Sequence, residues 1–421
     1  MIPLILFGSF AILLIIGVPI AISLGASTMV TVLYMGLPAA IVGQRIFTAI
    51  DSSSIMAIPL FVLAGNLMTY GGISRRIVEL ASAAIGGIRG GLFYVMIASC
   101  AFFAALSGSA PATVIAIGTM LYPEMVKRNY PSERSAGLLV AAGGLGPIIP
   151  PSIIMVIYGT LTSSSIGDLF KGGMVVGFML VLILVICCSL LAIKENWPKS
   201  NIKVSAKDFT IALWKAMLAV LLPVIVLGGI YSGIMTPTES AAVAAVYAFI
   251  VGLFVYRELS LPILFKVLVD SGKGSALVLF IIALSNGFSW LFTTAGISRF
   301  MINFITDMQL SATMFCVIVA LLLLFLGVFL EGIATIVLMV PLLWPIAESL
   351  GVNVIHFGMI VCIANVIGAM TPPVAVIIYA SSSVTGLKMG QVTRGLMPFY
   401  LGYLIVFLSV VLIPWFSTCL I

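Results

Sequence analysis

Apolar stretches of bilayer length recur along this chain, at about 2–34, 55–70, 91–121, 136–160, 173–193, 216–233, 239–256, 275–294, 311–346, 354–380 and 397–420. A helix needs about 20 residues to cross the hydrocarbon of a membrane. Several stretches suit one crossing, but 2–34, 91–121 and 311–346 are too long for a simple one. The last two are interrupted midway by Ser107-Gly108-Ser109 and by Glu331-Gly332. Such a run suits a re-entrant hairpin, which enters the bilayer, turns at a polar tip and returns; a kinked continuous helix is the alternative. Composition decides the solvent: 62% of the 421 residues are hydrophobic and 8% charged, against roughly 25% charged in a soluble domain. One core could not hide that much apolar surface, so the bilayer is the solvent for most of it. The expected fold is an all-α polytopic membrane protein of about 11 transmembrane segments plus two re-entrant hairpins.

The formal charge of +6 does not point to nucleic acid. Its basic residues cluster between apolar runs, notably Lys194, Lys199, Lys203, Lys207 and Lys215, the pattern of a cytoplasmic loop, and no aromatic-interleaved basic face accompanies them. That divider, 194–215, separates a first half, 1–193, from a second, 216–421. A second basic region, 257–273, agrees with it in orientation. Short amphipathic pieces at 43–51 and 73–79 are expected to lie along the interface with lipid. Met1 opens an apolar run without a charged leader, which reads as a first transmembrane segment. The six cysteines lie in apolar stretches without CxxC spacing, which suits packing rather than metal or disulfides.

The halves repeat. Gly72-Ile73-Ser74-Arg75 recurs as Gly296-Ile297-Ser298-Arg299, Leu121-Tyr122-Pro123 as Leu343-Trp344-Pro345, and Gly146 with Pro150-Pro151 as Gly368 with Pro372-Pro373, each about 222 positions on. In both halves a hairpin (near 91–121 and 311–346) precedes a helix broken by glycine and proline (near 136–160 and 354–380). Paired interruptions of this kind are the sequence mark of a transporter's binding site. An odd number of segments per half, such as five counted from the basic divider, would give the two repeats opposite orientations, and such an inversion is expected here.

The interruptions carry the chemistry. Gly143-Gly144-Leu145-Gly146-Pro147 and Gly368-Ala369-Met370-Thr371-Pro372-Pro373 unwind their helices, because proline removes a donor and clashes with the preceding turn. Freed carbonyls at membrane depth are costly unless something binds them, and a hard cation such as Na⁺ suits them; neighbouring helices could also satisfy a structural kink. Ser107 and Ser109 offer hydroxyls at the first tip. Glu331 stands alone among apolar residues, so it is a candidate for the site, unless the turn simply reaches water. Asn286 is a candidate either for the cavity or for interhelical bonding.

No HExxH, nucleophile-elbow or Walker-type pattern occurs, so the chain is expected neither to be an enzyme nor to consume ATP. An intramembrane hydrolase using Ser107 would lack a base, since the single histidine, His356, is expected at an interface. A scaffold protein would not need paired broken helices. A stand-alone ion or anion antiporter is the closer alternative to uptake of an organic acid.

From about residue 2 to 417 the sequence resembles the large, DctM-type membrane subunit of tripartite ATP-independent periplasmic (TRAP) transporters. The resemblance rests on Gly72-Ile73-Ser74-Arg75-Arg76, Ser107-Gly108-Ser109, Tyr122-Pro123-Glu124-Met125, Gly146-Pro147-Ile148-Ile149-Pro150-Pro151-Ser152, the stretch from Gly233 to Val243 containing Thr236-Pro237-Thr238-Glu239, and Thr371-Pro372-Pro373. It implies a multi-pass permease of the bacterial inner membrane with the elevator-like fold of the ion-transporter superfamily, coupled to Na⁺. It also implies two partners, a small four-helix (DctQ-type) membrane subunit and a periplasmic solute-binding protein (DctP-type), and carboxylate cargo such as C4-dicarboxylates, sialic acids or other sugar and keto acids. The Na⁺ sites implied fall near Ser107, Gly144, Gly146 and Pro147, and near Gly332, Gly368 and Thr371. The cargo set is Ser109, Thr113, Asn286 and Glu331; many relatives carry an acid where this chain has Thr113, which bears on the class of cargo.

Overall fold

The computed structural model describes residues 1–197 and 205–421, and every regular element in it is a helix. In the first half these are α1 (Ile2–Ile15), α2 (Ile20–Tyr34), α3 (Ala40–Ile50), α4 (Ala57–Tyr70), α5 (Ile73–Ile85), α6 (Gly91–Ser107), α7 (Ala110–Lys127), α8 (Ser132–Gly143), α9 (Ile153–Thr162) and α10 (Ile166–Lys194). The second half holds α11 (Ala206–Tyr231), α12 (Pro237–Ile250, continuing as a π-helical turn through Val255), α13 (Leu261–Thr294), α14 (Ile297–Asp307), α15 (Ala312–Gly327), α16 (Gly332–Ser349), α17 (Val354–Ala369), α18 (Val376–Thr385), α19 (Met389–Leu412) and the short α20 (Trp415–Thr418).

Among the described residues, six helices are long and apolar enough to cross a membrane: α10, α11, α12 with its π turn, α13, α16 and α19. The pair α4–α5 is a seventh only if its 63° bend counts as one span. The remaining apolar segments are shorter pieces, because glycine and proline divide them. The run 2–34 breaks at Gly17-Val18-Pro19. The hairpins separate at Gly108-Ser109 and at 328–331, and the broken helices at 144–152 and 370–375.

Local chemistry sets these boundaries. Thr236-Pro237-Thr238-Glu239 is a capping box with proline at the first helical position: the Thr236 hydroxyl accepts from the Glu239 amide at 3.2 Å, and Glu239 Oε2 accepts from the Thr236 amide at 2.8 Å. Gly72 starts α5 at φ +78°, and a Cβ there would collide with the Glu258 carboxylate. That carboxylate accepts from Arg75 at 2.6 Å and Arg76 at 2.8 Å, with the Arg76 guanidinium 3.4 Å from the centre of the Tyr256 ring. The Gly-Ile-Ser-Arg-Arg motif is thus a clasp joining the α4–α5 bend to the α12–α13 connection. Its copy keeps the positive φ at Gly296, but nothing lies within 4 Å of a Cβ there.

Two polar regions differ from the loops expected. The divider 194–215 is helical from Ala206 onward, so Lys207 and Lys215 belong to α11, while Lys199 and Lys203 lie outside the described residues. The basic region 257–273 is mostly the beginning of α13, whose 34 residues extend about 51 Å at 1.5 Å per residue. Isolated charges among many helix formers did not stop that helix. His356, expected at an interface, is buried, and its Nδ1 lies 3.0 Å from the Ser417 hydroxyl, because α20 covers the start of α17.

The halves pack reciprocally. α7 packs on α18 and its counterpart α16 on α9; α8 packs on α19 and its counterpart α17 on α10. Element i touching j while the copy of j touches the copy of i is the contact pattern of a two-fold relationship. The α8–α19 seam is backbone on backbone: a Cβ on Gly137 would overlap Gly395, and one on Gly395 would overlap the Glu133 carbonyl. This inner group holds the hairpins and broken helices. It is flanked on one side by α4 and α13, which pack on each other and carry the Asn66 Nδ2 to Ser271 Oγ bond at 2.9 Å.

Candidate functional site

A cavity of about 640 Å³ lies where the two hairpin tips, the two broken helices and the α4–α13 wall meet. Four helix starts line it: Ala110–Ala112 of α7, Ile153 and Ile154 of α9, Gly332 and Ile333 of α16, and Val376 and Ile377 of α18. The first turn of a helix leaves amide N–H groups without intrahelical partners and carries the positive end of the helix dipole. Two starts are capped within the protein. Ser152 Oγ accepts from the Met155 amide at 3.3 Å, and Glu331 Oε2 accepts from the Ala334 amide at 3.2 Å. The starts of α7 and α18 have no side-chain cap. Those two turns present donors to the cavity, the arrangement that binds anions.

The first tip is organised by its own hydroxyls. Ser107 Oγ lies 3.0 Å from Thr113 Oγ1, and Thr113 donates to the Ser109 carbonyl at 2.8 Å. Gly146 of the broken helix sits so close that a Cβ would overlap the Ser109–Ala110 backbone. The second tip is held differently. Asn365 of α17 donates from Nδ2 to the Gly332 carbonyl at 2.6 Å. Gly368 packs against the Gly327 backbone at the end of α15.

Ser107, Ser109, Pro147, Glu331 and Gly332 all line the cavity. Gly144 lies between the two breaks, against Met370 and Val366, and Gly146 and Gly368 abut the hairpins. Three expected residues fall elsewhere. Thr113 is fully buried, because helical spacing turns Ala112 and Ile115 of α7 to the cavity and Thr113 back toward Ser107. Asn286 is not on the wall; the residues of α13 that face the cavity are Asp270, Gly274 and Val278, one turn apart and well before it. Thr371 lies outside the cavity lining, donating to the Ile367 carbonyl at 2.7 Å with its hydroxyl 3.0 Å from that of Tyr400. Asn66, Asp270 and Asn365 line the cavity and were not anticipated. In the sequence Asn66 and Asn365 are lone amides inside apolar runs, whereas Asp270 falls in the basic region 257–273.

The charged side chains on the described wall are Asp270 and Glu331, both acids. The positive ends at the cavity are therefore helix starts rather than basic side chains. Acceptors for a cation are also available: the carbonyls of Gly144, Gly146 and Thr371 accept no hydrogen bond among the described residues. The helix starts line the cavity, whereas Gly144, Gly146 and Thr371 belong to the breaks that adjoin it and are not among its lining residues.

The family model "Tripartite ATP-independent periplasmic transporter, DctM component" matches residues 7–416. The isethionate TRAP transporter permease protein DctMQ of Oleidesulfovibrio alaskensis is 41% identical over 411 residues, which are 97% of this chain and 65% of that protein, so the chain spans about 65% of that relative's length. The C4-dicarboxylate TRAP transporter large permease protein DctM of Pseudomonas aeruginosa is 42% identical over 376 residues, 89% of this chain and 88% of that one. The sialic acid TRAP transporter large permease protein SiaM of Vibrio cholerae is 33% identical over 377 residues, 90% and 88% of the two chains. Among solved structures, the YdaH transporter of Alcanivorax borkumensis shares the fold at a TM-score of 0.64 and 12% identity, covering 89% of this chain and 87% of that one. With the family model spanning nearly the whole chain and the helices to cross a bilayer in place, this protein belongs to the DctM family of TRAP transporter components, permeases of the inner membrane.

Proposed function

We propose that this chain carries a small organic acid, a carboxylate or a similar anion, across the inner membrane by Na⁺-coupled secondary transport. The inner group of hairpins and broken helices moves against the α4–α13 wall as an elevator. Cargo arrives from a periplasmic solute-binding protein, and a small four-helix subunit completes the membrane part. The observation that carries this reading is the convergence of four helix starts on one cavity, two of them uncapped, with breaks adjoining it in which the carbonyls of Gly144, Gly146 and Thr371 accept no hydrogen bond among the described residues. The uncapped starts supply donors to an anion, and the carbonyls supply oxygens to a hard cation.

The cation answers a charge problem as well. Cargo of negative charge would meet Glu331 and Asp270 on the wall, and a co-transported cation offsets that repulsion in a medium of low dielectric. Relatives named for C4-dicarboxylate, isethionate and sialic acid agree on an acid as cargo while differing in its skeleton. Reconstitution tests the partnership. Liposomes holding this chain with its small subunit, supplied with the binding protein, should accumulate the acid that the binding protein holds. Robust uptake by this chain alone would instead favour an antiporter working without partners.

A further inference from the structure

The two hairpin tips are equivalent by repeat but are not held in the same way. Ser109 is the N-cap residue of α7, without a side-chain capping bond, Glu331 is the capping N-cap residue of α16, and α8 (Ser132–Gly143) corresponds to α17 (Val354–Ala369). In that correspondence Asn365 occupies the place of Gly143. Gly143 has no side chain and packs directly on Val114 and the Ala110 carbonyl, so the first tip rests on backbone and on its own Ser107–Thr113–Ser109 bonds. At the second tip the carboxamide of Asn365 spans the gap to Gly332.

We propose that Asn365 is the positioning residue of the second hairpin tip, a single side-chain tether that must be made for the tip to close on the cavity. Four observations support it. The bond from Nδ2 to the Gly332 carbonyl is short, 2.6 Å, and Asn365 is 6% exposed, so water competes with it weakly. A carbonyl only accepts, so the amide nitrogen faces Gly332 and the orientation of the carboxamide is settled. A Cβ at Gly332 would run into Asn365 Oδ1, so a larger residue there would have to displace the carboxamide. Finally, the tether lies on the cavity wall between Glu331, which caps α16, and Val366 of the broken helix. Displacement of the tip therefore has to break this bond before the α16 start can move.

The inference adds to the permease reading a reason why one tip is freer to open than the other, but its test requires no transport. Amide hydrogen exchange of the purified full-length chain in nanodiscs reports local opening of each tip separately. In Asn365→Ala and in Asn365→Leu, which keeps the branched shape but has no donor, the segment 328–338 should exchange about fivefold to tenfold faster than in the parent, the effect of losing one buried hydrogen bond. The segment 105–115 of the first tip should be unchanged. Equal acceleration at both tips would mean general loosening and would overturn the assignment. So would no acceleration in either variant, or an Asn365→Leu that behaves as the parent. If Asn365→Ala does not fold, Asn365→Leu decides alone, because it leaves no cavity. Exchange as expected together with absent Na⁺ coupling would leave the tether standing and remove only the transport reading.

Discussion

Thr113 and Thr335 make the same bond in the two halves: each donates its hydroxyl to the carbonyl of the helix cap four residues back, Ser109 at 2.8 Å and Glu331 at 3.1 Å. The repeat therefore extends from helix order down to single side chains, and the residues that break it are informative. Where the first tip has an N-cap serine that makes no side-chain capping bond, the second has a carboxylate that caps its helix.

That carboxylate gives the first prediction. Glu331→Gln keeps an oxygen to accept from the Ala334 amide, so the α16 cap should survive and thermal stability should change by less than about 1 kcal/mol. The charge is lost, and initial uptake should fall at every Na⁺ concentration, without rescue by excess Na⁺. A parent-like uptake rate in Glu331→Gln would reduce Glu331 to a cap.

Thr371 is tied to Tyr400 rather than directed into the cavity. Its hydroxyl acts by holding the break that contains the Thr371 carbonyl. Thr371→Val and Tyr400→Phe remove the same hydroxyl contact from its two sides. Each should raise the Na⁺ concentration for half-maximal uptake by about fivefold to tenfold, the worth of one hydrogen bond, and the double variant should add little. An unchanged Na⁺ dependence in both would detach the Thr371 side chain from ion binding.

The α8–α19 seam predicts a sharp contrast between two glycines. Gly137→Ala forces a methyl group into the Gly395 backbone and should cost about 3 kcal/mol, seen as lost expression or a much lower melting temperature. Gly43→Ala, in α3 with nothing within 4 Å of the new Cβ, should be neutral or stabilise by about 0.5–1 kcal/mol. Thermal melts of the two in one detergent compare them directly.

The Glu258 clasp is measurable by a double-mutant cycle. Arg76 is 15% exposed and Glu258 27% exposed at the side chain, so the pair is partly shielded. The coupling between Glu258→Gln and Arg76→Ala should be about 1 kcal/mol, smaller in high salt. For Arg75, 56% exposed, the coupling should be smaller still.

How much of this was legible in the sequence follows from which physics was local. The tips and breaks were legible because Gly108, Gly146 and the Pro-Pro pairs cannot continue a helix whatever surrounds them. The repeat was legible because two copies share those constraints. Thr113 and Asn286 were misplaced because which face of a helix lines a cavity depends on neighbours brought in from the other half. Asp270 is not legible as a wall residue because charges ordinarily mark loops, whereas α13 runs through its charges. Asn365 was missed because a lone amide in an apolar helix is ordinarily interhelical glue; only contact with Gly332, 33 residues away in sequence, marks it out.

The central claim, that an anion-binding cavity and a pair of cation-binding breaks work as one coupled site, is tested most directly by initial uptake of the cognate acid in proteoliposomes holding the complete transporter. An inward Na⁺ gradient should drive accumulation, ATP should add nothing, and replacing Na⁺ by K⁺ with a proton gradient should abolish it. Uptake at full rate under K⁺ and the proton gradient would contradict the account.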